Sequence, residues 1–154
     1  MKYSSLTWIT DSDFTKSGVN KKLLDGIGVI TEADISWLVI ESSGFFKEQN
    51  YKHSIGDSIK NIKNGTGSLK FIMSKYKYTP ITTIKEVKIY FIQAIQTKMP
   101  LVCYQLKNGQ KWICYECLPA EMPLLWSKRS LLLPVLEMFG FLYEELIQQE
   151  KAHA

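Results

Sequence analysis

The chain has 154 residues and a mass of 17.7 kDa, enough for one domain that buries more than about two-thirds of its unfolded surface without disulfides or a structural metal. Apolar residues make up 45% and charged residues 22%, a globular balance that excludes global disorder. No apolar run reaches the roughly 18 residues of a membrane span, no basic-then-apolar secretory leader is expected, and the formal net charge is +4.

Residues 5–10 read as a short strand. Asp13 suits the cap of a helix running to Asp25, with Val19, Leu23, Leu24 and Ile27 near one stripe and Gly26 and Gly28 to stop it. A second helix is expected from Thr31, with Glu32 and Asp34 at its positive end and Ile35, Leu38, Val39 and Phe46 on one face. A strand at 35–41 is the competing reading. A third, short helix is expected over Ser54–Lys63, with Ile55, Ile59 and Ile62 inward and Asn64-Gly65 ending it. Gly65-Thr-Gly-Ser68 then reads as a turn; it lacks the glycine-rich fingerprints of phosphate loops. Leu69–Tyr78 alternates moderately until Pro80.

The clearest local pattern is at 84–118. Val87, Ile89 and Phe91 alternate with Glu86, Lys88 and Tyr90, and Asn108-Gly109 separates Leu101–Lys107 from Gln110–Leu118. Asn-Gly between two strand-like runs is a strong hairpin signal, because both central residues of the favoured turn take positive φ. A three-stranded antiparallel meander follows. Beyond it, Pro123 and Pro134 divide a helical region into pieces at about 122–132 and 134–151.

Charge is unevenly spread. Residues 1–46 carry four lysines and six acids, residues 47–111 twelve lysines and three acids, and residues 112–154 three bases and six acids. The basic middle also holds Tyr76 and Tyr78. Lysines neutralise phosphates and aromatic faces stack on bases, so Lys52, Lys60, Lys63, Lys70, Lys75 and Lys77 with Tyr76 and Tyr78 form a candidate nucleic-acid-binding set. Six such contacts on a duplex give a slope of log affinity against log salt of about −5. Arg129 is the only arginine, which favours backbone contact over base readout.

Other chemistries have weaker footing. Cys114-Tyr-Glu-Cys117 lies in an expected strand, where positions three apart face opposite sides and cannot chelate one ion. A two-residue turn at Asn108-Gly109 pairs Cys103 with Cys114, and three cysteines without a leader read as reduced structural thiols. His53, with Asp57 four residues on, has no nucleophile context. Glu86-Val87-Lys88 is similar to the metal-holding triplet of PD-(D/E)xK nucleases, with Asp57 as the upstream acid. Leu125-Trp-Ser-Lys-Arg-Ser130 resembles a six-residue stretch of chorismate lyases. That family continues into a strand and uses an earlier arginine for substrate carboxylates, which this chain lacks. The order of helices before the meander resembles a helix-turn-helix with a β-wing, which implies Ser54–Lys63 as its recognition element.

The expected fold is a single α+β domain over residues 1–154, with N-terminal helices, an antiparallel meander at about 84–118 and a C-terminal helical segment. The expected function is a small non-enzymatic cytoplasmic binding protein that engages nucleic acid or a nucleoprotein, such as a regulator or inhibitor from a mobile element. No cofactor, metal or membrane partner is expected. Val135, Phe139, Leu142, Tyr143 and Leu146 are the expected interface of a homodimer, because the C-terminal helix is apolar over more than one stripe. The alternatives are a protein-binding adaptor, immunity protein or chaperone-like dimer, and a small metal-dependent nuclease.

Overall fold

A computed structural model describes residues 26–30, 35–42, 51–108 and 111–153. The strand expected at 5–10 and the helix at 13–25 lie outside the described residues. The elements in chain order are β1 (Gly26–Ile30), β2 (Ile35–Ser42), α1 (Tyr51–Lys75), α2 (Ile81–Glu86), β3 (Lys88–Ala94), β4 (Leu101–Asn108), β5 (Lys111–Leu118), a 3-10 segment (Trp126–Leu131) and α3 (Leu132–His153). The strands form one mixed sheet in the order β1-β2-β3-β4-β5. Only β2 and β3 are parallel, joined by the α1–α2 crossover. The class is α+β, with helices on both faces of the sheet.

Side-chain alternation sorts the core into two layers. Trp37, Val39, Ile89, Phe91 and Tyr104 face α1, where they meet Leu69 and Ile72. Leu38, Tyr90, Ile92, Leu101 and Cys103 face α3, where they meet Val135, Met138 and Leu142. β2 and β3 are therefore buried on both faces, as strands between two helical layers must be. This corrects two sequence readings. The segment after Thr31 is strand over 35–42, since its apolar run serves two faces instead of one helical stripe. Tyr90, assigned to a polar strand face, is 1% exposed beneath α3.

Helix α1 runs unbroken through Asn64–Ser68, where the sequence reads as a stop, a turn and then an alternating segment. Among its described side chains the buried positions are Asn61, Gly65, Leu69 and Ile72, a helical stripe that passes through the glycine. A Cβ on Gly65 would lie 3.0 Å from both Phe91 Cε2 and Tyr104 Cγ. The glycine lets the helix approach a pair of rings packed edge to face at 4.7 Å. Ile59 and Ile62, expected inward, are 48% and 47% exposed. With β2 a strand and α1 packed along the sheet, the described residues do not form a helix-turn-helix.

The meander β3-β4-β5 is antiparallel as expected. Its first strand starts at Lys88, because residues 81–86 form α2 after Pro80. The β4–β5 register departs by one residue from the simple two-residue-turn count: Cys103 faces Tyr115 and Cys114 faces Tyr104, with an irregularity between Leu106 and Asn108. A one-residue slip exchanges faces, so Cys103 and Cys114 are not partners. At the C-terminal end, 126–131 is 3-10 and Pro134 sits in the first turn of α3, where its missing N–H disrupts no helical bond.

Candidate functional site

The side chains described on α1 from Ser58 to Lys75 include four lysines and no acid. Lys63 and Lys70 are exposed two turns apart, about 10 Å along the axis. Gly67 and Ser74 share that outward face, and Phe71 beside it is 38% exposed. Lys75 ends the helix, whose carbonyl end favours a cation. Just beyond it, Tyr78 is 90% exposed with Lys77 Nζ 4.8 Å from its ring centroid. Five members of the sequence-defined set, Lys63, Lys70, Lys75, Lys77 and Tyr78, are thus exposed on α1 or the turn after it. Two are not: Tyr76 is half-buried against the α1-side core, and the Lys60 ammonium pairs with Glu41. Lys52 lies on α1, but its side chain is outside the described residues.

The Lys60–Glu41 pair belongs to a polar row that the sequence reading missed. Glu41 and Gln93 are register partners at the carboxyl ends of the parallel strands. Ser58 donates to Gln93 Oε1 at 3.1 Å. Glu41 is 7% and Gln93 9% exposed, and Asn61, next to Lys60 in sequence, is 3% exposed. Neither polar atom of Asn61 has a hydrogen-bond partner among the described residues. The available signal was periodicity: reading the Asn61, Gly65, Leu69, Ile72 stripe through the glycine puts Asn61 inward. The row is an ion pair and a hydrogen bond under a helix, with no nucleophile–base pair among its described groups.

A second polar cluster lies on the α3 side. Lys88 Nζ donates to Glu145 Oε2 at 2.6 Å, Tyr90 Oη donates to the same oxygen at 2.5 Å, and the Lys88 backbone N–H donates to Gln149 Oε1 at 2.7 Å. Burial acts to raise the Glu145 carboxyl, but the hydrogen bonds from Lys88 and Tyr90 outweigh it and hold the group below its ordinary range. Burial, then the Glu145 bond, push the Tyr90 hydroxyl far above its usual value. These groups tie α3 to β3. They also undo the nuclease triplet: Glu86 ends α2, and Lys88 is engaged by Glu145.

Cys114 is exposed and partners Tyr104, whose ring faces α1, whereas Cys117 packs in the α3-side core. The two thus lie on opposite faces. Hydrogen bonding to Cys103, then burial, push the Cys117 thiol well above its ordinary range, which makes it a poor nucleophile. An open cleft of about 540 Å³ between the β3–β4 turn and the start of α3 is lined by Lys98, Glu116 and Glu121 among prolines and apolar groups. Its lining holds no thiol, hydroxyl or imidazole.

The five-residue interface expected on the C-terminal helix is divided by the structure. Val135 and Leu142 are each 4% exposed in the core, and Leu146 is half-buried. Phe139 and Tyr143 face outward, at 43% and 67% exposure. No described helix is long and apolar enough to cross a membrane. Comparison with family models, curated proteins and solved structures gives no match.

Proposed function

We propose that this chain is a non-enzymatic binding protein whose basic α1 face engages the backbone of a nucleic acid, free or within a nucleoprotein. The observation that carries the reading is the outer face of α1 over the described side chains Ser58–Lys75, which include no acid and on which Lys63 and Lys70 lie two turns apart and lead to Lys75, Lys77 and the exposed Tyr78. Lysines give charge neutralisation without bidentate base readout, and an exposed aromatic ring offers a stacking surface, so binding is sequence-tolerant. The three free thiols suit a reducing, cytoplasmic setting. A homodimer is part of the same reading, on the strength of the exposed apolar residues of α3.

With Lys60 committed to Glu41, the exposed Lys63, Lys70 and Lys77 are counted as contacts, and three contacts on duplex DNA give a log–log salt slope of about −2.7. Fluorescence titration of a labelled duplex between about 50 and 200 mM salt measures it. Lys63→Gln and Lys70→Gln should each flatten the slope by about 1. Absence of binding at about 50 mM salt would refute the reading.

A further inference from the structure

The exposed apolar residues behind the proposed homodimer lie along α3 beside its core-facing stripe. Leu132, Leu133, Leu136, Phe139 and Tyr143 lie there, with Leu133, Leu136 and Tyr143 exposed by 61%, 65% and 67%. The adjoining Leu124, Leu125 and Trp126 are 56%, 62% and 79% exposed. At about 200 Å² for each fully exposed large side chain, the eight present on the order of 900 Å² of mostly apolar surface. Monomers ordinarily tolerate a largest patch of roughly 300–600 Å², and one side of a standard protein interface is about 800 Å². The patch therefore matches in area what each copy of a stable two-fold pair must bury.

Its layout is also self-complementary. An antiparallel pairing centred between Phe139 and Gly140 sets Leu136 of one copy against Tyr143 of the other, and Leu132 against Ile147. It also sets Phe139 over Gly140, which is exposed and has open space where a Cβ would be. Charge favours the same direction. Lys128 and Arg129 precede α3 with Glu137 in its first half, and Glu144 and Glu150 populate its second half with Lys151 in the last turn, so the start is net basic, the end net acidic, and antiparallel copies bring opposite ends together.

We propose that the occupant of this face is a second copy of the chain, and that the resulting dimer bridges two polyanionic strands or duplexes. α1 and α3 cover opposite faces of the sheet. The sheet therefore lies between each basic α1 face and the α3–α3 interface, which leaves each α1 face of the dimer open to its own duplex. The bridging half rests on the α1 reading above; the pairing does not.

The test uses the full chain. Light scattering at about 100 μM should give twice the 17.7 kDa of one chain, within the range where patches of this size associate. Leu136→Glu, at an outward position, should give a single-chain mass with unchanged circular dichroism and melting, whereas Gln148→Glu, off the stripe, should remain dimeric. Two 20-base-pair duplexes, one carrying a donor and one an acceptor dye, should show energy transfer with the wild type and none with Leu136→Glu. A wild-type monomer, or a Leu136→Glu dimer, overturns the pairing. A wild-type monomer that sediments with phosphatidylcholine–phosphatidylserine vesicles through Leu136 makes the patch a lipid-contacting surface and also overturns it. A dimer that binds duplex without energy transfer overturns the bridging. A dimer that binds no duplex leaves the pairing intact and overturns the α1 reading.

Discussion

Glu145 accepts from both Lys88 and Tyr90, and its carboxyl is held below the ordinary range. A group with a depressed folded pKa contributes stability that is complete above its unfolded pKa, near 4.3 for glutamate, and is lost as pH falls from there through the lower folded value. Glu145→Gln should thus lower the urea midpoint by a constant amount above about pH 5, and the gap should narrow as pH falls below about 4.3. A gap of equal size at both ends would show that the Glu145 charge contributes nothing. Asn61 makes the opposite case. It is 3% exposed with both polar atoms unpartnered among the described residues. Leaving such groups unpaired costs about 1–3 kcal/mol, so Asn61→Leu should stabilise the protein by about 1–2 kcal/mol in urea unfolding. A loss of stability instead would mean that Asn61 is hydrogen-bonded in solution.

At the scale of elements, α1 sets two glycines in contrasting surroundings. Gly65 faces two rings at 3.0 Å, and both rings belong to residues buried to within 4%. They have no room to yield, and overpacking of about 1–3 kcal/mol exceeds the gain of about 1 kcal/mol in helix propensity. Gly65→Ala should therefore give a net destabilisation of up to about 2 kcal/mol, with the Phe91 and Tyr104 ring signals shifted in NMR spectra. Gly67 faces open space, and Gly67→Ala should stabilise by about 0.5–1 kcal/mol. Both are measured by thermal or urea unfolding. Equal responses would place the helix away from the sheet. The contrast explains why Asn64–Ser68 reads as a breaker: local propensity penalises both glycines, and packing against Phe91 and Tyr104 requires one of them.

Across the whole molecule, the charge blocks seen along the chain become faces. The basic middle supplies α1 on one side of the sheet, and the acidic, apolar C-terminal region supplies α3 on the other. The two proposals use that separation, assigning one surface to a polyanion and the other to a second copy. It also makes the two proposals independent: salt should weaken duplex binding steeply and leave an apolar pairing nearly unchanged. Scattering and titration at about 50 and 500 mM salt check this, and a dimer lost at high salt would point to charge pairing instead.

Several features were readable from residues alone: the α+β class, the antiparallel β3-β4-β5 meander, though not its β4–β5 register, the C-terminal helix and the lysine-rich middle. Each rests on a local signal, whether alternation, a turn dipeptide, a 3.6-residue stripe or composition. Residues 35–42, the unbroken α1 and the two polar clusters were not. An apolar run such as Ile35–Ile40 satisfies a helical stripe and a doubly buried strand equally, and only its place between β1 and β3 decides. Asn64-Gly65 stops a helix in isolation and is overridden when the glycine meets Phe91 and Tyr104. Glu41 with Lys60, and Glu145 with Lys88 and Tyr90, lie between 19 and 57 residues apart, so no spacing rule links them. The same limit applies to the C-terminal helix. Its sequence shows excess apolar surface, but only the sheet decides that Val135 and Leu142 are spent on the core while Leu136 and Tyr143 remain outside, because burial is a property of the partner as much as of the helix.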